Sequence, residues 1–287
     1  AATSDYGVYR TTDNGANWTQ VINGLGNQTV LSLAVSGTTL FAGTYSNGVY
    51  RSNDNGSNWL QVNNGLGNQY AIYALAVGGS NVFAGTSGNG VYRSSDNGVN
   101  WEQFSNGLGA NQAIRALAIS GANLYASTAG SGVYLSTNNA VSWTAANNGL
   151  GNTYLLSLAA SGANVFAGGV RGFFRSTDNG ASWAQSNSGL KAPELMDLET
   201  VGSTLFAASF GDGIYRSSDN GTSWQAVNNG LGDLNVYDVI ASGSALLAGT
   251  NGGVYRSTDN GANWTLVNLI VDSVNVGSLN ANLLNFV

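Results

Sequence analysis

A closed all-β ring is the fold this sequence predicts, and three observations predict it. The stretch "RSTDNGANW" at 256–264 has close copies at 10–18, 51–59, 93–101, 175–183 and 216–224, and a fainter one, "LSTNNAVSW", at 135–143. The Trp that ends each copy (Trp18, Trp59, Trp101, Trp143, Trp183, Trp224, Trp264) recurs at steps of 41, 42, 42, 40, 41 and 40 residues. Each step carries four short apolar runs set apart by Gly, Asn or Ser. A period near forty with four strands per unit is the pattern of propeller blades, since one small sheet cannot bury both its faces and stacks on its neighbours in a circle. The expectation is a seven-bladed β-propeller of four-stranded blades, in one domain over 1–287.

The strands read in order in the unit that follows Trp59. They are "AIYALAVG" (71–78), "NVFAGTS" (81–87), "GVYRSS" (90–95) and "NWEQFS" (100–105). Alternation in runs such as "LSLAV" and the β-branched and aromatic content fit strands, and no window has helical periodicity. The chain opens with what reads as the last two strands of a blade, then runs through six whole units. It closes with "DSVNVGSLNANLLNFV" (272–287), which aligns with first and second strands. Joining tail to head predicts a composite seventh blade from about 1–22 and 270–287, leaving no free edge in the circle.

Composition narrows the functions. Only 8% of residues are charged, net charge is −6, and there is a single Lys, so a nucleic-acid groove of clustered basic residues is not expected. The absence of Cys and His removes thiolate ligands, the usual imidazole ligand and the usual general base, so no metal or cofactor is expected. No stretch has the length of a membrane span, and no leader is visible in this chain.

The repeated S/T-x-D-x-G-x-x-W resembles the Asp-box, or bacterial neuraminidase repeat, found in sialidase, xyloglucanase, sortilin-type and photosystem II assembly factor-like propellers. Six copies are complete, with Asp13, Asp54, Asp96, Asp178, Asp219 and Asp259; in the seventh Asn138 and Ala140 replace Asp and Gly. The physical reading is structural. The Asp accepts backbone N–H groups to close a hairpin between third and fourth strands, Gly takes a positive φ, and Trp plugs the space beneath. The Arg three places before each Asp lies across the blade as a packing or hydrogen-bonding group.

If the repeats are scaffold, function belongs to residues that break them. Loops from fourth to next first strand, and from second to third, should share the face opposite the boxes. The former repeat "NGLGN" except "SGLKAPEL" (188–195), with Lys191; the latter vary at Tyr45, Arg171, Phe210 and Asp212. On the innermost strands one register reads Ser32, Ala74, Ala116, Ser157, Asp197, Asp238, Ser273. The register two places on carries Glu199 among mostly Ala, and the neighbouring one carries Arg115. Arg115, Arg171, Lys191, Glu194, Asp197, Glu199, Phe210, Asp212 and Asp238 are the candidate ligand-binding residues. The alternative is that the acids are solvated in an axial channel or pair locally with Arg115 and Arg171.

Three functional readings remain. A non-catalytic binding or scaffold propeller, extracellular or at the cell surface, would present its loops to a protein or glycan. A glycoside hydrolase-like propeller would use two carboxylates such as Asp197 and Asp238. The resemblance argues against a sialidase, which needs three substrate-binding arginines where only Arg115 and Arg171 lie outside the repeats. A self-assembling subunit would exchange the tail "NLLNFV" between chains, self-closure as a monomer being the default.

Overall fold

The computed structural model describes residues 1–4, 6–67, 71–109, 112–191 and 194–267. They form seven antiparallel sheets and no helix. Blade 1 contains Ala2–Thr3, Gly7–Arg10 and Thr19–Gln20. Blades 2 to 7 are four-stranded, and their innermost strands are Val30–Ser36, Ile72–Gly78, Ile114–Ser120, Leu155–Ser161, Leu195–Val201 and Val236–Ser242. Their outermost strands hold only two or three residues, from Leu60–Gln61 in blade 2 to Thr265–Val267 in blade 7.

The seven-bladed ring is therefore as the period predicts. One correction concerns blade 1, which has a third strand: Ala2 pairs with Val8 and Thr3 with Gly7. Two residues are too few to show a pattern in sequence. The rest of the expected composite blade, 270–287, lies outside the described residues.

The core is partitioned between blades. Each sheet turns alternate side chains to its two neighbours, so blade 2 sends Leu40 and Ala42 toward blade 1 and Phe41 toward blade 3. Seven apolar clusters fill the seven gaps. The last unites Ala1, Tyr9 and Trp18 with Ile240, Leu247, Val254 and Val267, so the described residues already close the circle.

The repeated boxes close hairpins as expected. In blade 2, Asp54 Oδ1 accepts Asn58 N at 2.8 Å and Ser52 Oγ at 2.8 Å, while Asn58 Nδ2 donates to Asp54 Oδ2 at 2.7 Å. Gly56 follows Asn55, and both have positive φ, 57° and 84°. The boxes also join blades. Trp59 Nε1 donates to Val21 O and Trp101 Nε1 to Val62 O, each in the preceding blade. Two depart from this: Trp18 Nε1 donates to Gly15 O in its own box, and Trp224 Nε1 is unpartnered, its ring edge-on to Phe173. The "NGLG" loops owe their monotony to the same joint. Trp59 N donates to Asn23 O, and a Cβ on Gly24 would stand 2.1 Å from Trp59 O.

The repeated Arg reaches further than its own blade. Arg10, Arg51, Arg93 and Arg216 donate through Nη1 to the carbonyls of Asn55, Asn97, Asn139 and Asn260, each in the next blade's box. Arg256 Nε closes the series on Asn14 O at 2.7 Å. Blade 4 carries Leu135 in place of the Arg, and a crevice of about 300 Å³ lined by Leu135, Ala146, Asn179 and Ala181 opens there.

Candidate functional site

The two kinds of loop share a face. Tyr45 N donates to Thr29 O, Ser87 N to Ala71 O and Phe210 N to Glu194 O, tying second-to-third-strand loops to the ends of fourth-to-first-strand loops. On this face the candidate residues fall into an outer group and an axial group.

The outer group is Arg171, Lys191, Glu194, Phe210 and Asp212. Arg171, Lys191 and Phe210 are exposed, and Glu194 and Asp212 half-buried. Their loops are locked by backbone bonds: Gly211 N and Gly213 N both donate to Leu234 O, and Phe210 bridges Asn235. Phe210 packs against Tyr237, ring centres 5.9 Å apart. Three apolar neighbours escaped the sequence reading: Tyr154 (39% exposed), Val170 (41%) and Leu234 (41%), beside Phe210 at 45%. The available signal was a large side chain where the equivalent loop positions mostly carry small or polar residues, such as Thr29, Ala71 and Ala113 opposite Tyr154 and Ser87 and Ala129 opposite Val170 and Phe210.

The axial group is Arg115, Asp197 and Asp238, which line a cavity of about 200 Å³ with Tyr73, Met196, Ser32 and Ser157. A β-bulge in each innermost strand builds it. Pairing shifts between Ile72 and Ala74, Ile114 and Ala116, Leu195 and Asp197, and Val236 and Asp238. The extra residue (Tyr73, Arg115, Met196 or Tyr237) is re-aimed instead of alternating into the blade. Tyr73, Arg115 and Met196 thus share the cavity wall with the residue that follows each of them.

Asp197 and Asp238 line the axial cavity, and Asp197 and Glu199 also bond across blades. Asp197 Oδ2 accepts Val239 N at 3.1 Å, and Glu199 Oε1 accepts Ala241 N at 3.1 Å, so each carboxyl staples blade 6 to blade 7. Asp197 is also hydrogen-bonded to Asp238. Burial pushes the Asp197 carboxyl above the usual range, against the pull of those bonds. Protein surrounds Asp197, yet it keeps a half-buried surface toward the cavity, which moderates that push. Burial, reinforced by the Asp197 charge, pushes Glu199 up to about 7. Glu199 is absent from the cavity wall and staples the blades, though the Asp197 charge reaches it.

Arg115 lies with its guanidinium 4.4 Å over the Tyr73 ring, and its Nε has no hydrogen-bond partner. No group of three or more acids suited to a metal ion occurs among the described residues. No helix among them is long and apolar enough to cross a membrane.

No protein-family model matches the chain, nor does any curated protein sequence, so the likeness to the Asp-box rests on the residues themselves. Solved structures share the fold. YCF48 bound to D1 peptide matches with TM-score 0.65 at 18% identity, over 86% of this chain and 84% of that one. An ancestral GH74 enzyme matches with TM-score 0.71 at 18% identity, over 92% of this chain and 44% of its own. The extracellular domain of the two-component system protein BT4673 from B. thetaiotaomicron matches with TM-score 0.69 at 16% identity, over 98% of this chain and 36% of its own.

Proposed function

We propose that this chain is a non-catalytic binding propeller, working outside the cell or at its surface, whose loop face takes a segment of another protein. One observation carries the reading: Tyr154, Val170, Phe210 and Leu234 project from a single arc, the loops of blades 4 to 7 on one face. Elsewhere the exposed large apolar residues are Tyr45, on the loop face of blade 2, and Leu60, Val99, Val141 and Leu266. A clustered apolar surface with a polar rim is how protein interaction sites differ from ordinary surface. Arg171, Lys191, Glu194 and Asp212 supply that rim.

The propeller neighbour bound to a peptide supports a protein partner over a glycan. The closeness of Asp197 and Asp238 argues against this pair as the two carboxylates of a glycosidase, which stand about 5–9.5 Å apart to leave room for the sugar or water.

Selection of a random peptide display library on the wild-type protein, with Phe210→Ser/Leu234→Ser as the counter-target, tests the reading. Enriched peptides should carry apolar side chains and lose at least about tenfold in affinity for the double variant. Peptides that bind both proteins equally, or a glycan array and hydrolysis screen with hits where the peptide library has none, would overturn it.

A further inference from the structure

The joint between blades 4 and 5 lacks the group that completes the others. Five of the six repeated arginines donate to the carbonyl of the next box's Asn, at 2.7–3.2 Å, and Arg175 reaches Thr222 Oγ1 at 3.0 Å. Leu135 has no donor to offer. Asn179 O therefore goes without the guanidinium that reaches the carbonyls of Asn14, Asn55, Asn97, Asn139 and Asn260.

A second change widens the gap. In blade 3 the guanidinium of Arg93 lies 3.8 Å over the Phe104 ring, and blades 1, 2 and 6 carry Val21, Val62 and Val227 at the place of Phe104. Blade 4 has Ala146 there. Both side chains of the joint are thus cut back in the same blade, and they line the crevice of about 300 Å³. Its floor is apolar, since Leu135 and Ala146 pack on the cluster that holds Trp183. Of the residues lining it, only Asp178 is charged, and Asn148 and Asn179 add polar groups at its rim.

We propose that this crevice docks an arginine side chain of a partner protein, which takes the position that the chain's own arginine holds in other blades. The guanidinium donates to Asn179 O and is drawn by the Asp178 carboxylate, while its methylenes lie on Leu135 and Ala146. Arginine suits such a place because its planar fork donates to several acceptors at once and its stem covers apolar surface. The chain's net charge of −6 favours a basic partner over an acidic one. This site lies between the outer strands of blade 4 and the box of blade 5, and does not depend on the loop-face reading.

Chemical-shift titration of the Asn148, Asn179 and Ala181 amides with N-acetyl-arginine amide tests the proposal, with the citrulline and norleucine analogues as neutral and apolar controls. The arginine compound should shift these amides at millimolar concentration, with both controls weaker by about tenfold or more. Leu135→Arg fills the crevice from within and should abolish the response. Asp178→Asn, the group that blade 4 already uses at Asn138, should weaken arginine binding by about threefold or more. Phe210→Ser/Leu234→Ser should respond as the wild type does, which separates this site from the loop face. No shift with the arginine compound, equal binding of either control, or an undiminished response in Leu135→Arg would overturn the proposal. So would self-association of the wild type that Arg171→Ala abolishes, since a second copy would then fill the crevice.

Discussion

At the residue scale, the recurring Asp is a hairpin group held ready-charged. Side-chain and backbone donors of the residue four places on hold Asp13, Asp54, Asp178, Asp219 and Asp259 down to about 2, with the backbone N–H of Asn100 foremost at Asp96. Blade 4 has the uncharged version. Asn138 Oδ1 accepts Ser142 N at 3.0 Å and its Nδ2 donates to Ser142 Oγ, so the hairpin is closed without charge. Beside it Ala140 is fully buried at φ 70°, a left-handed conformation that costs an alanine about 1–2 kcal/mol. Ala140→Gly relieves that strain but loses a buried methyl of about 0.8 kcal/mol and adds freedom to the unfolded chain. The double change Asn138→Asp/Ala140→Gly should therefore raise stability by no more than about 1 kcal/mol, mostly through the charged hairpin bonds. A urea midpoint at or below the wild-type value would show that the box Asp contributes nothing there.

At the scale of the element, the missing joint in blade 4 is the instructive one. Every other Arg of the series links its blade to the next, Arg175 through Thr222 Oγ1, while Leu135 faces Asn179 and a crevice. Leu135→Arg should restore the bridge to Asn179 O and stabilise the ring by about 0.5–1 kcal/mol, the range of an exposed charge-assisted bond. Arg51→Leu should lose a similar amount, and thermal melting of the two variants in opposite directions is the check. The strands, the hairpins and the registers of Asp197 and Asp238 were legible in the sequence, because blade repeats keep residue types in phase with the backbone. The Arg bridges were not, since their partners stand about 45 residues away and nothing local marks them. The bulges escaped for another reason. Strict alternation turns Arg115 and Tyr73 away from the axis, and one unpaired residue leaves no mark in composition. Variety was the clue: Leu31, Tyr73, Arg115, Leu156, Met196 and Tyr237 differ where adjacent registers stay small.

At the scale of the whole molecule, the ring is stitched twice, by box joints outside and by carboxyl staples near the axis. The two respond oppositely to pH. The box aspartates titrate below their unfolded values, so their stabilisation is present above about pH 4 and lost as pH falls toward 2. Glu199 titrates above its unfolded value, so the folded state holds a proton the unfolded chain has released, and stability falls as pH climbs from about 4.5 to about 7. Asp197, also raised, adds to that fall. The urea midpoint should be highest in mild acid, and Glu199→Gln should flatten its decline toward pH 7; an unchanged decline would remove Glu199 from the account. The central claim is a division of labour, in which repeated residues hold the ring and pattern-breaking ones bind. Its most direct test is calorimetric binding of one library-selected peptide, below the melting temperature, to Asp54→Ala and to Phe210→Ser/Leu234→Ser. The account predicts near wild-type affinity for Asp54→Ala and a loss of at least about tenfold for the loop-face variant. The reverse pattern would contradict it.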